Sequence, residues 1–369
     1  MPFTRAGISL VRALKHNPNK SNYILTSQIR TYSGKATKLL YEDYGEPAKV
    51  VKVVEETLSK VKPNEVLVKI LAAPVNPADI NTIEGKYPSK PKLPAVPGNE
   101  GVGRILEVGS DVTNLAVGDH VVPLQQNLGT WRTHAVLPAE AFLKVPLELG
   151  LVPAATLTVN PCTAFRMLRD FVDLKPGDVV IQNGANSAVG QFVIQIARTW
   201  GIKTVNIVRN RPEIDKLKDY LNCLGASVVL TEEELRATDI FKTEKFAKPR
   251  LALNCVGGKS ATEIMRHLQN SCPIVTYGGM SREPVTVATS ALIFKDIQVR
   301  GFWMSAWSKK NATSEERFEM FDELICMMVN KELKEAEHTL ISFSDYAEAL
   351  KNTLNPKGQG KKYILNFNT

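Results

Sequence analysis

Alternating apolar and polar residues make the first part of the chain β-rich. The alternation begins over residues 65–72 and is followed at short intervals by four more strand-like runs, several of them separated by Gly, Pro or Asn. Regularly spaced short strands of this kind are typical of an all-β region. The predicted strands are Glu65–Ala72, Gly101–Val108, His120–Pro123, Thr133–Val136 and Phe142–Val145.

The hydrophobic period changes beyond about residue 150. Residues 152–172 have helical character, and short apolar runs then alternate with helical segments. Such alternation predicts a parallel sheet with crossover helices. Its predicted strands are Val179–Gln182, Thr204–Val208, Ser227–Leu230, Arg250–Val256, Pro273–Gly278 and Ile297–Trp303. An amphipathic helix over 314–330 and a final strand over 361–367 follow.

These patterns predict an α/β protein with two domains, for which 369 residues are sufficient. A doubly wound parallel-sheet domain over residues 159–307 is inserted into a β-rich domain built from residues 33–158 and 308–369. No apolar run is long enough to span a bilayer, so no membrane span is expected.

The basic residues are concentrated at the N-terminus. Five of them lie within residues 1–32, before the first acidic residue, Glu42, and without those five the chain has 41 basic and 38 acidic residues. The net charge of +8 therefore does not require a nucleic-acid partner. The five are Arg5, Arg12, Lys15, Lys20 and Arg30.

Residues 1–32 are interpreted as a mitochondrial transit peptide. The segment is basic, lacks acidic residues and can form an amphipathic helix over 8–14. Arg30-Thr31-Tyr32-Ser33 resembles a processing site that would release a mature chain starting at Ser33. The predicted localisation is the mitochondrial matrix. A disordered basic tail is the alternative.

A small-residue turn at 183–187, between a buried strand and a helix at 189–200, predicts a phosphate site. Backbone N–H groups and the helix dipole both favour an anion there. The dinucleotide fingerprint G-x-G-x-x-G is incomplete, because Ser187 stands between Gly184 and Gly190. A plain strand–turn–helix therefore stays open as an alternative.

The residues after the second strand of this unit indicate which dinucleotide binds. Dinucleotide folds that use NAD usually carry Asp or Glu there, which binds the ribose 2′-hydroxyl. This chain has Arg209, Asn210 and Arg211 instead. Because guanidinium groups attract a 2′-phosphate that a carboxylate would repel, we expect NADPH as the cofactor.

The sequence offers neither a disulfide framework nor a metal-ligand cluster. Its five cysteines and five histidines are scattered without C-x-x-C spacing, which is typical of reduced thiols. Residues 257–260 resemble the end of a phosphate-binding P-loop, but Leu253 replaces its first glycine. We interpret that segment as a strand-to-helix turn.

Three glycine-containing motifs resemble the medium-chain dehydrogenase/reductase superfamily. They are Asn99-Glu100-Gly101-Val102-Gly103, Val108-Gly109-Ser110-Asp111-Val112 and Val117-Gly118-Asp119-His120-Val121. The resemblance implies a Rossmann-type domain inserted into a GroES-like catalytic domain. Zinc-dependent members have a histidine at the place of Asn99 and a cysteine near Asn76 or Pro77. Both ligands are missing here, so no metal is expected.

Further motifs are similar to those of the zinc-free mitochondrial trans-2-enoyl-thioester reductases. They are Asn76-Pro77-Ala78-Asp79-Ile80-Asn81, Gly85-Lys86-Tyr87-Pro88, Leu93 to Glu100, Asn186 to Gly190, Tyr277-Gly278-Gly279-Met280 and Phe302-Trp303. The resemblance implies NADPH-dependent reduction of an enoyl thioester, carried by an acyl carrier protein or CoA, in mitochondrial fatty acid synthesis. It also leads us to expect a homodimer formed through edge strands of the cofactor domain.

The resemblance gives Tyr87 the catalytic role. Reduction of the conjugated C=C bond places a hydride at Cβ and a proton at Cα, and a phenol that stays protonated at neutral pH can donate that proton. A packed loop tyrosine is the alternative. The implied cofactor-binding residues are Asn160, Asn186, Ser187, Ala188, Val189, Arg209, Asn210, Arg211, Tyr277, Gly278, Gly279, Met280, Phe302, Trp303, Met304, Ser305 and Lys362.

Several of these assignments have simple alternatives. Asn160 could be a helix cap, Lys362 a surface lysine and Trp303 a core tryptophan. Two other functions also stay open for the whole chain. One is an NADPH quinone oxidoreductase of the same superfamily, and the other is a non-catalytic NADPH-binding protein that kept the fold.

Overall fold

The computed structural model of the chain describes residues 34–242, 246–353 and 362–368. They form two compact units. The first, here called the β-rich unit, contains the described residues of Met1–Thr158, Lys309–Val329 and Glu337–Thr369. The second, the α/β unit, contains those of Val159–Ser308 and Asn330–Ala336.

The predicted transit peptide over residues 1–32, with its processing site before Ser33, lies outside the described residues. Within the described part of the chain, no helix combines the length and the apolar character that crossing a bilayer requires.

The described strands are numbered in chain order. They are β1 (Lys35–Leu40), β2 (Lys52–Thr57), β3 (Glu65–Val75), β4 (Val102–Val108), β5 (His120–Pro123), β6 (His134–Pro138), β7 (Phe142–Val145), β8 (Val179–Asn183), β9 (Lys203–Val208), β10 (Val228–Thr231), β11 (Leu251–Asn254), β12 (Pro273–Thr276), β13 (Gln298–Gly301), β14 (His338–Ser342) and β15 (Lys362–Asn366).

The described α-helices are numbered in the same way. They are α1 (Pro47–Val50), α2 (Pro77–Ile83), α3 (Leu151–Ala155), α4 (Asn160–Asp170), α5 (Ala188–Thr199), α6 (Ile214–Leu224), α7 (Glu232–Ala237), α8 (Gly258–Arg266), α9 (Thr289–Ile293), α10 (Met304–Lys310), α11 (Glu315–Val329) and α12 (Tyr346–Thr353).

A seven-stranded sheet organises the β-rich unit. Its order is β14-β15-β3-β4-β5-β7, and β6 pairs with β3 off this path. Strand β3 is central because it pairs antiparallel with β4, β6 and β15. One apolar core joins this sheet to helix α2 through Ile80 and Ile83, and it includes the fully buried Trp131. Burial of these side chains fixes α2, and the loop after it, on the sheet.

The α/β unit contains a six-stranded sheet with the order β10-β9-β8-β11-β12-β13, in which neighbouring strands are parallel. Counted within the unit, this is the order 3-2-1-4-5-6 of a Rossmann sheet. The carboxyl ends of parallel strands meet at one edge, and the order reverses between β8 and β11. A ligand is therefore expected at that edge, near the end of β8.

A short segment after α11 belongs to the α/β unit. Residues 330–336 were expected in the β-rich domain, but side chains of helix α5 bind their backbone. Gln195 Nε2 donates to the Lys334 carbonyl over 3.1 Å, and Arg198 donates to the Glu332 carbonyl over 2.5 Å. The hydropathy pattern does not reveal hydrogen bonds to the backbone. It therefore gave no reason to assign residues 330–336 to the α/β unit.

Candidate active site and cofactor site

The turn after β8 ends in a capped helix. Gly184 has φ of +61°, a conformation that favours glycine, and Ser187 is the N-cap of α5. Ser187 Oγ accepts a hydrogen bond from the Gly190 N–H over 3.1 Å. Ser187, the departure from the glycine fingerprint, therefore caps the helix whose first N–H groups face the phosphate site.

Gly190 allows this helix to approach the turn closely. A Cβ added at Gly190 would lie 2.5 Å from the carbonyl oxygen of Ala185, a distance that real Cβ atoms do not adopt. Ala188 and Val189 are the first two residues of the helix, and their N–H groups have no partner within a helix. With the helix dipole they form an anion site.

Buried amide side chains link the carboxyl ends of neighbouring strands, and sequence reasoning missed them. Asn183 Nδ2 donates to Asn254 Oδ1 over 2.8 Å, and Asn183 Oδ1 accepts from the Cys255 N–H over 2.7 Å. Asn254 Nδ2 in turn donates to Thr276 Oγ1 over 3.1 Å. The two asparagines fix the turns after β8 and β11. The sequence feature that could have indicated these hydrogen bonds is an asparagine at the end of each of two apolar strands.

Two arginines follow β9. Arg209 is exposed, Arg211 is half-buried, and the Arg211 Nε–H approaches the Arg209 carbonyl at 3.5 Å. Burial, and then the positive charge of Arg209, lowers the pKa of the Arg211 guanidinium. Two crowded cations are stabilised by an anion placed between them, so this corner suits a phosphate group.

The segment after β12 presents backbone to the same edge of the sheet. A Cβ on Gly278 would lie 2.9 Å from the Cys255 carbonyl oxygen, whereas one on Gly279 would meet nothing within 4 Å. Burial, and then the neighbouring Cys255 thiol, raises the pKa of the buried Tyr277 hydroxyl well above the ordinary range. Met280 is half-exposed.

The remaining predicted residues of the α/β unit differ in exposure. Asn160 is buried and is the first residue of α4, whose N-cap is Val159, so the helix-cap alternative is wrong. Trp303 is 39% exposed, so the core-tryptophan alternative is also wrong. Met304 is buried at the start of α10, and Phe302 packs edge-on against Phe171.

Tyr87 lies in the loop after α2 in the β-rich unit. Helix α2 lies between strand β3 and this loop. The N–H groups of Lys86 and Tyr87 both donate to the Asn81 carbonyl, over 2.8 and 3.1 Å. Tyr87 is half-buried, so its side chain is held at the surface of the unit and is not packed in its core.

Lys362 belongs to a buried cluster of charges in the β-rich unit, and the surface-lysine alternative is wrong. Its ammonium donates to Asn76 Oδ1 over 2.6 Å and lies 3.9 Å from Glu100 Oε2. Asn76 Nδ2 donates to the same Glu100 oxygen over 2.8 Å. Burial lowers the pKa of Lys362, and the carboxylates of Glu100 and Asp79 oppose that shift.

Asn99 occupies the position at which zinc-dependent relatives carry a histidine ligand. Asn99 Nδ2 donates to Asp79 Oδ1 over 2.7 Å, and Asn99 Oδ1 accepts from the Asn127 N–H over 2.7 Å. Both polar atoms of its side chain are therefore used within the protein. No group of three or more His, Cys, Asp or Glu residues with a metal-binding arrangement occurs in the described ranges.

The residues of the α/β unit fit NADP(H). The capped turn at Ser187 suits the pyrophosphate, the arginine pair suits the 2′-phosphate, and the open space beside Gly279 leaves room for a flat ring. In the parallel sheet, the carboxyl ends of β8, β9, β12 and β13 bring these groups to one edge.

The comparisons with known proteins agree with this arrangement. Residues 62–147 match the alcohol dehydrogenase GroES-like domain, and residues 188–324 match the family described as zinc-binding dehydrogenase. The mitochondrial enoyl-[acyl-carrier-protein] reductase of Rattus norvegicus is 52% identical over 326 residues, which are 86% of this chain and 85% of that protein. The chain belongs to the mitochondrial enoyl-[acyl-carrier-protein] reductase family.

Solved structures related to this reductase family share the fold. The complex of Etr1p with NADP and crotonyl-CoA has a TM-score of 0.84 at 35% identity and covers 90% of this chain and 99% of its own. The Etr1p/Etr2p heterodimer of mitochondrial 2-enoyl thioester reductase from Candida tropicalis matches with the same four values. The α/β fold with a Rossmann-type and a GroES-like domain is confirmed, and the protein is mitochondrial.

Proposed function

We propose that this chain reduces trans-2-enoyl thioesters of acyl carrier protein or CoA to saturated acyl thioesters with NADPH, as the last step of the mitochondrial fatty acid synthesis cycle. Its family membership and the NADP(H)-binding features of the α/β unit support this assignment. The observation that carries it is Tyr87, held by the Asn81 carbonyl at the surface of the β-rich unit in a chain of this family.

The chemistry follows from the thioester. When bound, NADPH supplies the hydride that adds to Cβ of the conjugated double bond. The electron pair of that bond then moves toward the thioester carbonyl, and Cα becomes basic. Tyr87 donates its phenolic proton to Cα, and water returns a proton to the phenolate after turnover. The C=C bond is reduced by two electrons and two hydrogens, and the thioester is left intact.

The other assigned residues bind and orient the cofactor. Asn186 to Val189 would hold the pyrophosphate, Arg209 to Arg211 would hold the 2′-phosphate, and Tyr277 to Met280 would approach the nicotinamide through their backbone. Asn160 and the segment Phe302 to Ser305 complete the cofactor set.

Lys362 acts differently from the rest of that set. Its ammonium is satisfied by Asn76 and Glu100, so we assign it the role of fixing the polar interior of the β-rich unit. The proposed functional domains are then residues 33–158, 309–329 and 337–369 for catalysis, and residues 159–308 with 330–336 for NADPH.

A homodimer is the proposed assembly. Strand β13 ends the order of the described α/β sheet, and it carries the 45% exposed Val299. Ile293 and Phe294, just before it, are 67% and 76% exposed. An open strand edge next to large exposed apolar side chains suits pairing with a second copy across a two-fold axis. Analytical ultracentrifugation of wild type and Val299→Lys tests this, because a charged edge strand should give monomers.

The quinone oxidoreductase alternative is not favoured. It shares the fold, the cofactor and the lack of zinc ligands, but the rat relative that is 52% identical over 86% of this chain is named an enoyl-[acyl-carrier-protein] reductase. The deciding experiment supplies NADPH with trans-2-hexenoyl-CoA or, separately, with a quinone. Saturated hexanoyl-CoA as the main product supports the proposal, and turnover of quinone alone rejects it.

A further inference from the structure

Helix α2 holds one end of the Tyr87 loop. The last turn of the helix presents the Asn81 carbonyl, which accepts from the Tyr87 N–H over 3.1 Å. At the first turn, Asp79 Oδ2 accepts from the N–H of Asn76 over 2.8 Å. This reverse capping bond satisfies the Asn76 N–H at the start of the helix. It also fixes the Asp79 carboxylate against the backbone of the same helix, which carries Asn81.

A separate chain of hydrogen bonds reaches the other side of the same loop. Asp79 Oδ1 accepts from Asn99 Nδ2 over 2.7 Å, and Asn99 Oδ1 accepts from the Asn127 N–H over 2.7 Å. Asn127 Nδ2 then donates to Ser89 Oγ over 3.0 Å. Ser89 is two residues after Tyr87, so the path closes into a ring that contains the catalytic tyrosine.

The donors and acceptors around the ring permit one arrangement. The Asn99 side chain must point its NH₂ group toward the Asp79 carboxylate and its oxygen toward the Asn127 N–H. In the opposite orientation, the Asn99 oxygen would meet the carboxylate and its NH₂ group would meet the N–H, so neither hydrogen bond could form. Asp79 is 1% exposed, and a buried hydrogen-bonded carboxylate makes strong bonds with fixed direction.

We propose that Asp79 and Asn99 are positioning residues that fix Tyr87 through this hydrogen-bonded ring. The inference rests on the proposed function, in which Tyr87 is the proton donor. Loops are mobile unless they are anchored, and a displacement of about 1 Å in a catalytic group costs on the order of 10²-fold in rate. In zinc-dependent relatives a metal ligand occupies the place of Asn99, whereas here the same place anchors a catalytic loop.

The test uses Asn99→Ala, which cuts the ring at its centre, and Ser89→Ala, which removes only the last bond. Their matched controls are Asn64→Ala and Ser110→Ala. Asn64 and Ser110 are exposed residues of the same unit. The Asn64 carbonyl accepts from the Ala139 N–H, and Ser110 Oγ donates to its neighbour Asp111. Each substitution is made in wild type and in Tyr87→Phe.

We expect Asn99→Ala to lower kcat for enoyl-CoA by about 10–100-fold and Ser89→Ala by about 3–10-fold, with KM for NADPH unchanged. In the Tyr87→Phe background, neither substitution should lower the residual rate further, because the group they position is gone. Equal losses in both backgrounds, or a loss matched by the controls, would overturn the inference.

Hydrogen exchange gives a readout that is independent of activity. In Asn99→Ala, peptides covering residues 84–92 should exchange about tenfold faster or more than in wild type and Asn64→Ala, while peptides of strand β4 stay protected. Unchanged exchange there means that the ring does not hold the loop, whatever the substrate is. If exchange rises in Asn99→Ala but Tyr87→Phe retains the wild-type kcat, the result supports the anchoring of the loop by the ring. It rejects the proposed catalytic role of Tyr87.

Discussion

Asn99 Nδ2 lies 2.7 Å from Asp79 Oδ1, in the place where a zinc-dependent relative would offer an imidazole to the metal. The two side chains form a charge-assisted hydrogen bond, and Asn76 and Lys362 continue the polar contacts on the other side of Asp79. The position of the zinc ligand in the GroES-like unit is thus still polar. Its polar side chains form hydrogen bonds with one another.

The arginine pair should decide between NADPH and NADH. Replacing both Arg209 and Arg211 by Ala removes charge-assisted bonds to a 2′-phosphate, each contributing about 1.5–3 kcal/mol. We expect KM for NADPH to rise at least about tenfold, with KM for NADH nearly unchanged.

The matched control for the arginine pair is Arg266→Ala. Arg266 is an exposed side chain of the same unit that pairs with Glu263 over 3.1 Å. Steady-state kinetics with both cofactors provide the measurement, and an equal rise for both would show that the arginines do not recognise the 2′-phosphate.

Tyr87→Phe should separate chemistry from cofactor binding. Removal of the phenolic proton donor should lower kcat by about 10²–10⁴-fold, the range of general acid catalysis. The Kd for NADPH, measured by fluorescence, should stay at the wild-type value because every residue assigned to the phosphates lies in the α/β unit.

Tyr346→Phe makes the same chemical change on helix α12 and should leave kcat unchanged. A Tyr87→Phe enzyme with wild-type kcat would remove the proposed proton donor.

Gly190→Ala tests how closely the helix meets the dinucleotide turn. In an exposed helix interior this change stabilises by up to about 1 kcal/mol. Here the added Cβ would lie 2.5 Å from the Ala185 carbonyl oxygen, so we expect a loss of about 1–3 kcal/mol in the free energy of unfolding and weaker NADPH binding.

Gly279→Ala is the matched change at an open position, where a Cβ meets nothing within 4 Å. Its unfolding free energy should stay near that of wild type. Thermal and denaturant unfolding give both values, and a stable Gly190→Ala protein would contradict the described packing.

The pH dependence of stability should reveal the buried carboxyl group. Burial raises the pKa of Asp79 from 3.8 to about 6, against the hydrogen bonds from Asn76 and Asn99, while Glu100 raises it and Lys362 lowers it. A raised folded-state pKa means that the stabilising contribution is complete below the unfolded pKa near 4 and is lost as pH rises through 6.

Relative to Asp79→Asn, whose side chain is neutral throughout, wild type should lose up to about 3 kcal/mol between pH 4 and pH 7. Unfolding in urea across this range measures the difference. A constant difference would mean that Asp79 titrates at its ordinary value.

Much of the fold follows from hydrophobic period. The strands predicted over 120–123 and 142–145 match β5 and β7 residue for residue, and the parallel series was predicted strand by strand. The antiparallel pair of β1 and β2 was missed, because β1 buries only Ala36 and Leu39, no residue of β2 is buried, and neither sequence alternates clearly between apolar and polar residues. Helix α2 was also missed, since its apolar residues are few and a proline begins it.

The polar interior could not be predicted from the pattern. Asn183 and Asn254 in the α/β unit, and Asp79 and Glu100 in the β-rich unit, are almost fully buried. In sequence a buried polar residue looks the same as an exposed one, because its burial depends on partners that are distant along the chain. Lys362 and Asn76 are 286 residues apart, and only the folded sheet brings them together.

Isotope placement in the product tests the central claim most directly. The purified protein is given trans-2-hexenoyl-CoA with NADPH deuterated at C4, and separately with ordinary NADPH in D₂O, and the product is analysed by NMR. The account predicts hexanoyl-CoA with deuterium at C3 in the first case and at C2 in the second. Deuterium from NADPH at C2, or the absence of any saturated product, would contradict it.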